Sequence, residues 1–172
     1  SQRAGNGFKR CLSFHSLSKR SNLPGLRSGF VAGDTALIER FLRYRTYHGC
    51  ALAPHHQHVS TLAWQDEAHV VANRDLYREK FAQVSAILSP HYDLQQPDGG
   101  FYHWLRTPID DLEFSRRLLA EQNLTVVPGS FLSRDTAKGN PGKGHVRVAW
   151  VAPLKECVVA AERLAEFGQK LG

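Results

Sequence analysis

Cys11-Leu-Ser-Phe-His-Ser16-Leu-Ser18-Lys19-Arg-Ser-Asn-Leu-Pro-Gly-Leu-Arg27-Ser-Gly29 is the stretch on which the reading of the fold turns. Cys11–His15 reads as a short buried strand, and its apolar run stops at a knot of hydroxyls around Lys19. Eight residues on, Arg27 stands between Gly25 and Gly29 in a turn-rich segment, and Ser28–Ala32 reads as a second short buried strand. In open α/β sheets ligands gather at the carboxyl ends of strands, and Lys19 lies just past one.

On the amino-terminal side, residues 1–9 are expected to form a flexible lead. On the other side, Gly33-Asp34 offers a stop and an N-cap for a helix over 35–45, where Leu37, Ile38, Phe41 and Leu42 have helical spacing. Tyr47–Pro54 reads as a loop, followed by helices at about 55–64 and 66–88. On the longer one Val70, Tyr77, Phe81, Val84 and Leu88 share a face, and Ser89-Pro90 ends it. This order suggests the tail of an α/β domain handing over to something else. From residue 91 the texture changes. Phe101–Leu105, Leu124–Val127 and Val146–Val151 read as strands, with helices at about 111–122 and 154–170. The last carries Leu154, Val158, Ala161, Leu164 and Phe167 on one side. An α+β module with antiparallel pairing is expected, with 133–145 as its most mobile loop.

The 172 residues suffice for a sizeable core, and no apolar run approaches the ~18 residues of a membrane span. The opening Ser1-Gln-Arg-Ala-Gly-Asn-Gly is polar and unlike a secretory signal. Three widely spaced cysteines suggest neither a disulfide framework nor a metal site, so a reducing, cytoplasmic setting is expected. The formal charge of +6 is dispersed, densest at Lys9-Arg10 and Lys19-Arg20, without the basic stripe that nucleic-acid binding needs. The chain contains no methionine, which fits a fragment or an internal cut.

Several constellations invite a chemical reading. Ser16-Leu-Ser-Lys19 fits the S-x-x-K pattern of serine acyl enzymes, but its S-D-N and K-T-G partners do not occur and Pro24-Gly25 follow closely. Gly139-Asn-Pro-Gly-Lys-Gly144 departs from a phosphate loop, since position 137 is Ala and Gly144 replaces the Ser or Thr. His48, His55, His56 and His58 cluster without acidic or cysteine partners, so no metal is assigned. Arg147 sits within the apolar run His145-Val-Arg-Val-Ala-Trp-Val151. Burial there demands an anion, either a ligand carboxylate or a core Asp or Glu. Lys19 has Ser16, Ser18 and Arg27 for company, donors of the kind that hold a phosphate, and an amine so placed suits a phosphate-bearing aldehyde.

At these residues the sequence resembles the fold-type I aminotransferases that use pyridoxal 5'-phosphate. Ser-x-Ser-Lys, five residues, then Gly-Leu-Arg-x-Gly looks like their cofactor-lysine signature. Gly100-Phe-Tyr-x-Trp104, Val126-Val-Pro-Gly-Ser-Phe131 and Val146-Arg-Val-Ala149 follow in the family's order and approximate spacing. The wider wording, including Arg45-Thr-Tyr-His-Gly-Cys-Ala-Leu52 and Asp66-Glu-Ala-His-Val70, looks most like the bacterial succinyldiaminopimelate aminotransferases.

The resemblance implies that Lys19 is the catalytic lysine that bonds the cofactor and later moves the substrate proton. It implies that Ser16, Ser18 and Arg27 hold the cofactor phosphate and that Arg147 binds the substrate α-carboxylate. The implied fold class is α/β: the end of the large domain, mostly parallel sheet, over residues 1–60, a connecting helix over 61–90, and a complete α+β small domain over 91–172. The implied reaction is amino transfer between N-succinyl-diaminopimelate and 2-oxoglutarate in lysine biosynthesis. The enzyme is expected to be a homodimer in which Tyr47–Ala53 approaches the partner's site. Alternatives are another aminotransferase or a carbon–sulfur lyase of the same fold, or a folded fragment that binds no cofactor. A full member of the family is more than twice as long, and its earlier part holds the pyridine nitrogen and ring. This chain is therefore expected to be a carboxyl-terminal portion, inactive by itself.

Overall fold

Residues 8–171 are described by a computed structural model, and the chain divides into two units, Ser1–Asn73 and Arg74–Gly172. Of the lead expected at 1–9, residues 1–7 lie outside the described residues.

In the first unit, strand β1 (Leu12–Ser16) runs into a single helical turn, α1 (Leu17–Arg20), then a 3-10 turn at Pro24–Leu26, then strand β2 (Gly29–Gly33). The strands pair antiparallel, from Leu12 opposite Gly33 to Ser16 opposite Gly29. The mostly parallel sheet expected of this part is thus not what these strands form. Their connection folds into two tight turns, and Leu17 N–H donates to Ser28 O at 3.1 Å, so the chain reverses instead of crossing over through a helix. The strands were also expected to be buried. Phe14 and Phe30 are instead 65% and 46% exposed, because a two-stranded ribbon buries only what another layer covers. Leu17, with no exposed surface, is the apolar anchor of the segment.

Helix α2 (Thr35–Arg45) starts where expected, with Asp34 Oδ1 accepting Leu37 N–H at 3.2 Å. The other oxygen accepts Arg10 N–H at 2.7 Å, and these backbone donors hold the Asp34 carboxyl below its usual range. Helix α3 (Pro54–Gln65) opens on a proline, whose missing N–H costs nothing at that position. Helix α4 (Ala68–Leu88) begins in the first unit and continues into the second.

The second unit adds strand β3 (Tyr102–Arg106), helix α5 (Asp111–Gln122), strand β4 (Val127–Pro128), a 3-10 turn at Gly129–Leu132, strand β5 (His145–Ala149) and helix α6 (Leu154–Leu171). The sheet order is β3-β5-β4, antiparallel throughout. Period-two alternation on β5 turns Val146 and Val148 into the core with Leu105 and His103 of β3. Phe81, Val84 and Leu88 of α4, Phe114 and Leu118 of α5, and Leu164 and Phe167 of α6 cover that face. The buried stripe of α6 is Cys157, Ala161, Leu164, Ala165 and Phe167, rotated slightly from the expected one.

The strand expected over Leu124–Val127 shrinks to β4. Asn123 is left-handed (φ 52°), and the N–H groups of Asn123 and Leu124 close α5 by bonding Leu119 O and Leu118 O. Lys80, 8% exposed, donates to Trp150 O at 3.1 Å and lies over the Tyr77 ring. No helix among the described residues is long and apolar enough to cross a membrane.

Candidate functional site

Ser16 ends β1 in an extended conformation (φ −140°, ψ 141°) and caps α1. Its Oγ accepts Ser18 N–H at 3.1 Å and donates to Ser28 O at 3.4 Å. Lys19 is the third residue of that turn, with its side chain exposed. Arg27 closes the 3-10 turn in the left-handed region (φ 53°), and its guanidinium donates to Pro24 O at 2.8 Å. A non-glycine residue held there carries strain that the surrounding bonds must maintain. Gly29 follows because a Cβ at that position would come within 2.4 Å of His15 O.

The ribbon therefore gathers Ser16, Ser18 and Lys19 on one turn, with Arg27 next to the Ser28 carbonyl that Ser16 bonds. No acidic residue occurs from Cys11 to Gly33. Hydroxyls, a guanidinium and an amine are the donor set for a phosphate group.

Arg20 was not foreseen as part of this arrangement. Its guanidinium donates to Ala63 O at 3.0 Å and Trp64 O at 3.3 Å, stacks 4.7 Å from the Trp64 ring centroid and pairs with Glu67. It thereby ties the turn carrying Lys19 to the carboxyl end of α3, where the exposed carbonyls favour a cation.

Arg147 lies in the second unit. It is the middle residue of β5, opposite Trp104 of β3 and Val127 of β4. The alternation that buries Val146 and Val148 sends Arg147 to the other, open face of the sheet, half-buried. Expected burial among apolar neighbours gives way to an aromatic surround. Its guanidinium carbon is 5.8 Å from the Tyr102 ring, and Trp104 stacks on His145 with centroids 5.6 Å apart. Nε is buried with no hydrogen-bond partner, and no Asp or Glu among the described residues forms an ion pair with Arg147. The core-carboxylate alternative is thereby removed, and a buried unpaired N–H of an arginine suits an incoming carboxylate. Among the described residues no group of three or more His, Cys, Asp or Glu is arranged to hold a metal ion.

A sequence profile of the family described as aminotransferase class I and II matches residues 4–164. The 4-dedimethylamino-4-oxo-anhydrotetracycline transaminase OxyQ of Streptomyces rimosus is 34% identical over 161 residues, 93% of this chain and 43% of the relative. The crystal structure of an aminotransferase from Neisseria meningitidis superposes with a TM-score of 0.89 at 52% identity, covering 96% of this chain and 42% of that one. A structure of a probable N-succinyldiaminopimelate aminotransferase from Thermus thermophilus gives a TM-score of 0.82 at 31% identity, covering 94% and 43%. The chain thus spans about two fifths of the length of these relatives.

Proposed function

We propose that this chain, which belongs to the class I and II aminotransferase family, is the part of an aminotransferase that carries the cofactor lysine, the connecting helix and the small domain. The family depends on pyridoxal phosphate. The observation that carries the reading is the ribbon end that sets Ser16, Ser18, Lys19 and Arg27 on adjoining turns.

Arg27 and the hydroxyls of Ser16 and Ser18 would hold the cofactor phosphate, and Lys19 would supply the amine that anchors the cofactor through its aldehyde, with loss of water. When bound, the cofactor supplies a carbonyl for the amino group and a ring that draws electrons from the substrate α-carbon. Lys19 Nζ would serve as the amine that takes up and returns the substrate proton. Arg147 would bind the α-carboxylate of the substrate through its unpaired N–H.

For the substrates we propose an amino acid and a 2-oxo acid, specifically N-succinyl-diaminopimelate and 2-oxoglutarate. The wording of Phe14–Asn22 and Arg45–Leu52 and the likeness to the Thermus protein support this pair. The likeness to OxyQ favours a second reading, a different amino acceptor handled by the same lysine and arginine. The assembly proposed is a homodimer acting in the cytoplasm.

Adding pyridoxal phosphate to the complete enzyme should give a yellow absorption band that borohydride reduction fixes on Lys19, and Lys19→Ala should lack it. Absence of the band in the wild type would sink the reading. A panel of amino donors assayed with 2-oxoglutarate separates the two substrate readings.

A further inference from the structure

Asp110 caps α5 through Oδ1, which accepts the N–H groups of Leu112 and Glu113. The next residue, Asp111, is a carboxylate with no exposed surface that the helix does not need as its cap. Its oxygens reach elsewhere. Oδ2 accepts Ser130 N–H at 2.9 Å and Oδ1 accepts Gly144 N–H at 3.1 Å. Ser130 lies just beyond β4 and Gly144 just before β5, two strands that pair with Val127 opposite Arg147. One buried carboxylate thus pins both ends of the segment 130–144 beside the strand that bears Arg147.

The rest of the segment is built to keep that hold. A Cβ on Gly129 would meet Gly142 O at 2.2 Å and the Trp104 ring at 2.9 Å, and one on Gly142 would meet Gly129 O at 2.1 Å. Ser133 Oγ donates to Gly129 O and accepts Gly142 N–H at 3.1 Å, while Gly144 O accepts Thr107 N–H at 2.9 Å. The loop expected to be the most mobile is cross-tied from end to end. Burial pushes the Asp111 carboxyl up, but the hydrogen bonds from Ser130 and Gly144 outweigh it and hold it below its usual range. Charge-assisted bonds to an otherwise unpaired buried anion are costly to lose, which makes Asp111 a strong clamp.

We propose that Asp111 is a positioning residue for recognition of the amino-acid carboxylate, acting through the β4–β5 pair on Arg147 and on the Trp104–His145 stack beside it. This rests on the reading of Arg147 as the carboxylate-binding residue. Asp111→Asn keeps the shape but sets an NH2 group against one of the two backbone N–H donors.

The test uses the complete, cofactor-loaded enzyme and 2-methyl-L-glutamate, which lacks the α-hydrogen and binds without turnover. Asp111→Asn should raise its Kd about tenfold, the size of one charge-assisted hydrogen bond, with the cofactor absorption band unchanged and kcat within about threefold. In an Arg147→Ala background the same substitution should have no further effect on Kd, since the two act in series. An unchanged Kd in folded Asp111→Asn, or additive losses in the double variant, overturns the proposal. If Asp111→Asn does not fold, Ser130→Pro removes the donor N–H together with the hydroxyl beside Asp111 and should show the same split between Kd and kcat. An unchanged Kd there overturns the proposal equally. Failure of the wild type to bind the probe overturns the aminotransferase reading and this inference with it, an outcome distinct from a wild type that binds beside a variant unaffected.

Discussion

The indole Nε1–H of Trp150 donates to Nδ1 of His103 at 2.8 Å, inside the core of the second unit. Nδ1 is therefore the acceptor nitrogen, and Nε2, 3.4 Å from Ser85 Oγ, carries the proton. Protonating Nδ1 would set one N–H against another in a site where His103 is 1% exposed and edge-on to Phe81. Burial holds the imidazole at about 4, down from an ordinary 6.5.

The consequence for stability has a definite sign. The unfolded chain takes up a proton that the folded chain refuses. The contribution of His103 is thus complete above about pH 6.5 and lost as the pH falls toward about 4, by on the order of 2–3 kcal/mol. Urea unfolding of wild type and His103→Gln between pH 4.5 and 8 checks this, because glutamine keeps an acceptor for Trp150 but does not titrate. The acid limb should flatten in the variant, and parallel limbs would assign the acid sensitivity elsewhere.

Much of this architecture is legible from spacing, and the exceptions share a cause. Asp34 and the 35–45 pattern read straight through to α2, because cap and apolar stripe are local. Val146 and Val148 read as core for the same reason. Arg147 reads as buried from its apolar neighbours, although the period of two puts it on the face opposite to them. Arg20 carries no local signal, since apart from the adjacent Ser21 its partners lie 43 to 47 residues further on. Asp111 is hidden beside Asp110, two acids at a helix start where only one acts as cap. The ribbon's antiparallel register depends on how the turns of 17–28 close, which composition does not state.

Ser16→Ala tests the hydroxyl that links both halves of the proposed phosphate site. It removes the cap on α1 and the bond to Ser28 O, and caps of this kind contribute about 1 kcal/mol. The expected result is a loss of that size in unfolding free energy, together with weaker retention of pyridoxal phosphate on dialysis. Ser16→Asn restores a cap without the hydroxyl. It should recover stability more than cofactor retention.

Arg20→Ala leaves the carbonyls of Ala63 and Trp64 without their donor and strips the stack from Trp64. The site is partly solvated, so a cost of about 1–2 kcal/mol is expected. Arg20→Lys should recover little of it, because an ammonium cannot reproduce a fork that meets two carbonyls and a ring at once. Since Arg20 follows Lys19 on the same turn, borohydride labelling of Lys19 should also slow in both variants. Full rescue by lysine would reduce the role of Arg20 to charge alone.

Arg147 gives the sharpest separation of function from stability. Its Nε is buried without a partner and it forms no ion pair among the described residues, so removing it breaks no internal bridge. Arg147→Ala should leave the melting temperature unchanged or slightly raised, as an unsatisfied polar atom disappears. Amino-donor affinity, read from the change in the cofactor band on titration, should fall by about 2–5 kcal/mol, the cost of leaving a bound carboxylate unpaired. Arg147→Lys should lie between, since it supplies charge without the two parallel N–H groups. A structural arginine would give the reverse pattern, a lowered melting temperature with donor affinity intact. That pattern would move the carboxylate site away from β5, and the clamp argued for Asp111 would lose its target.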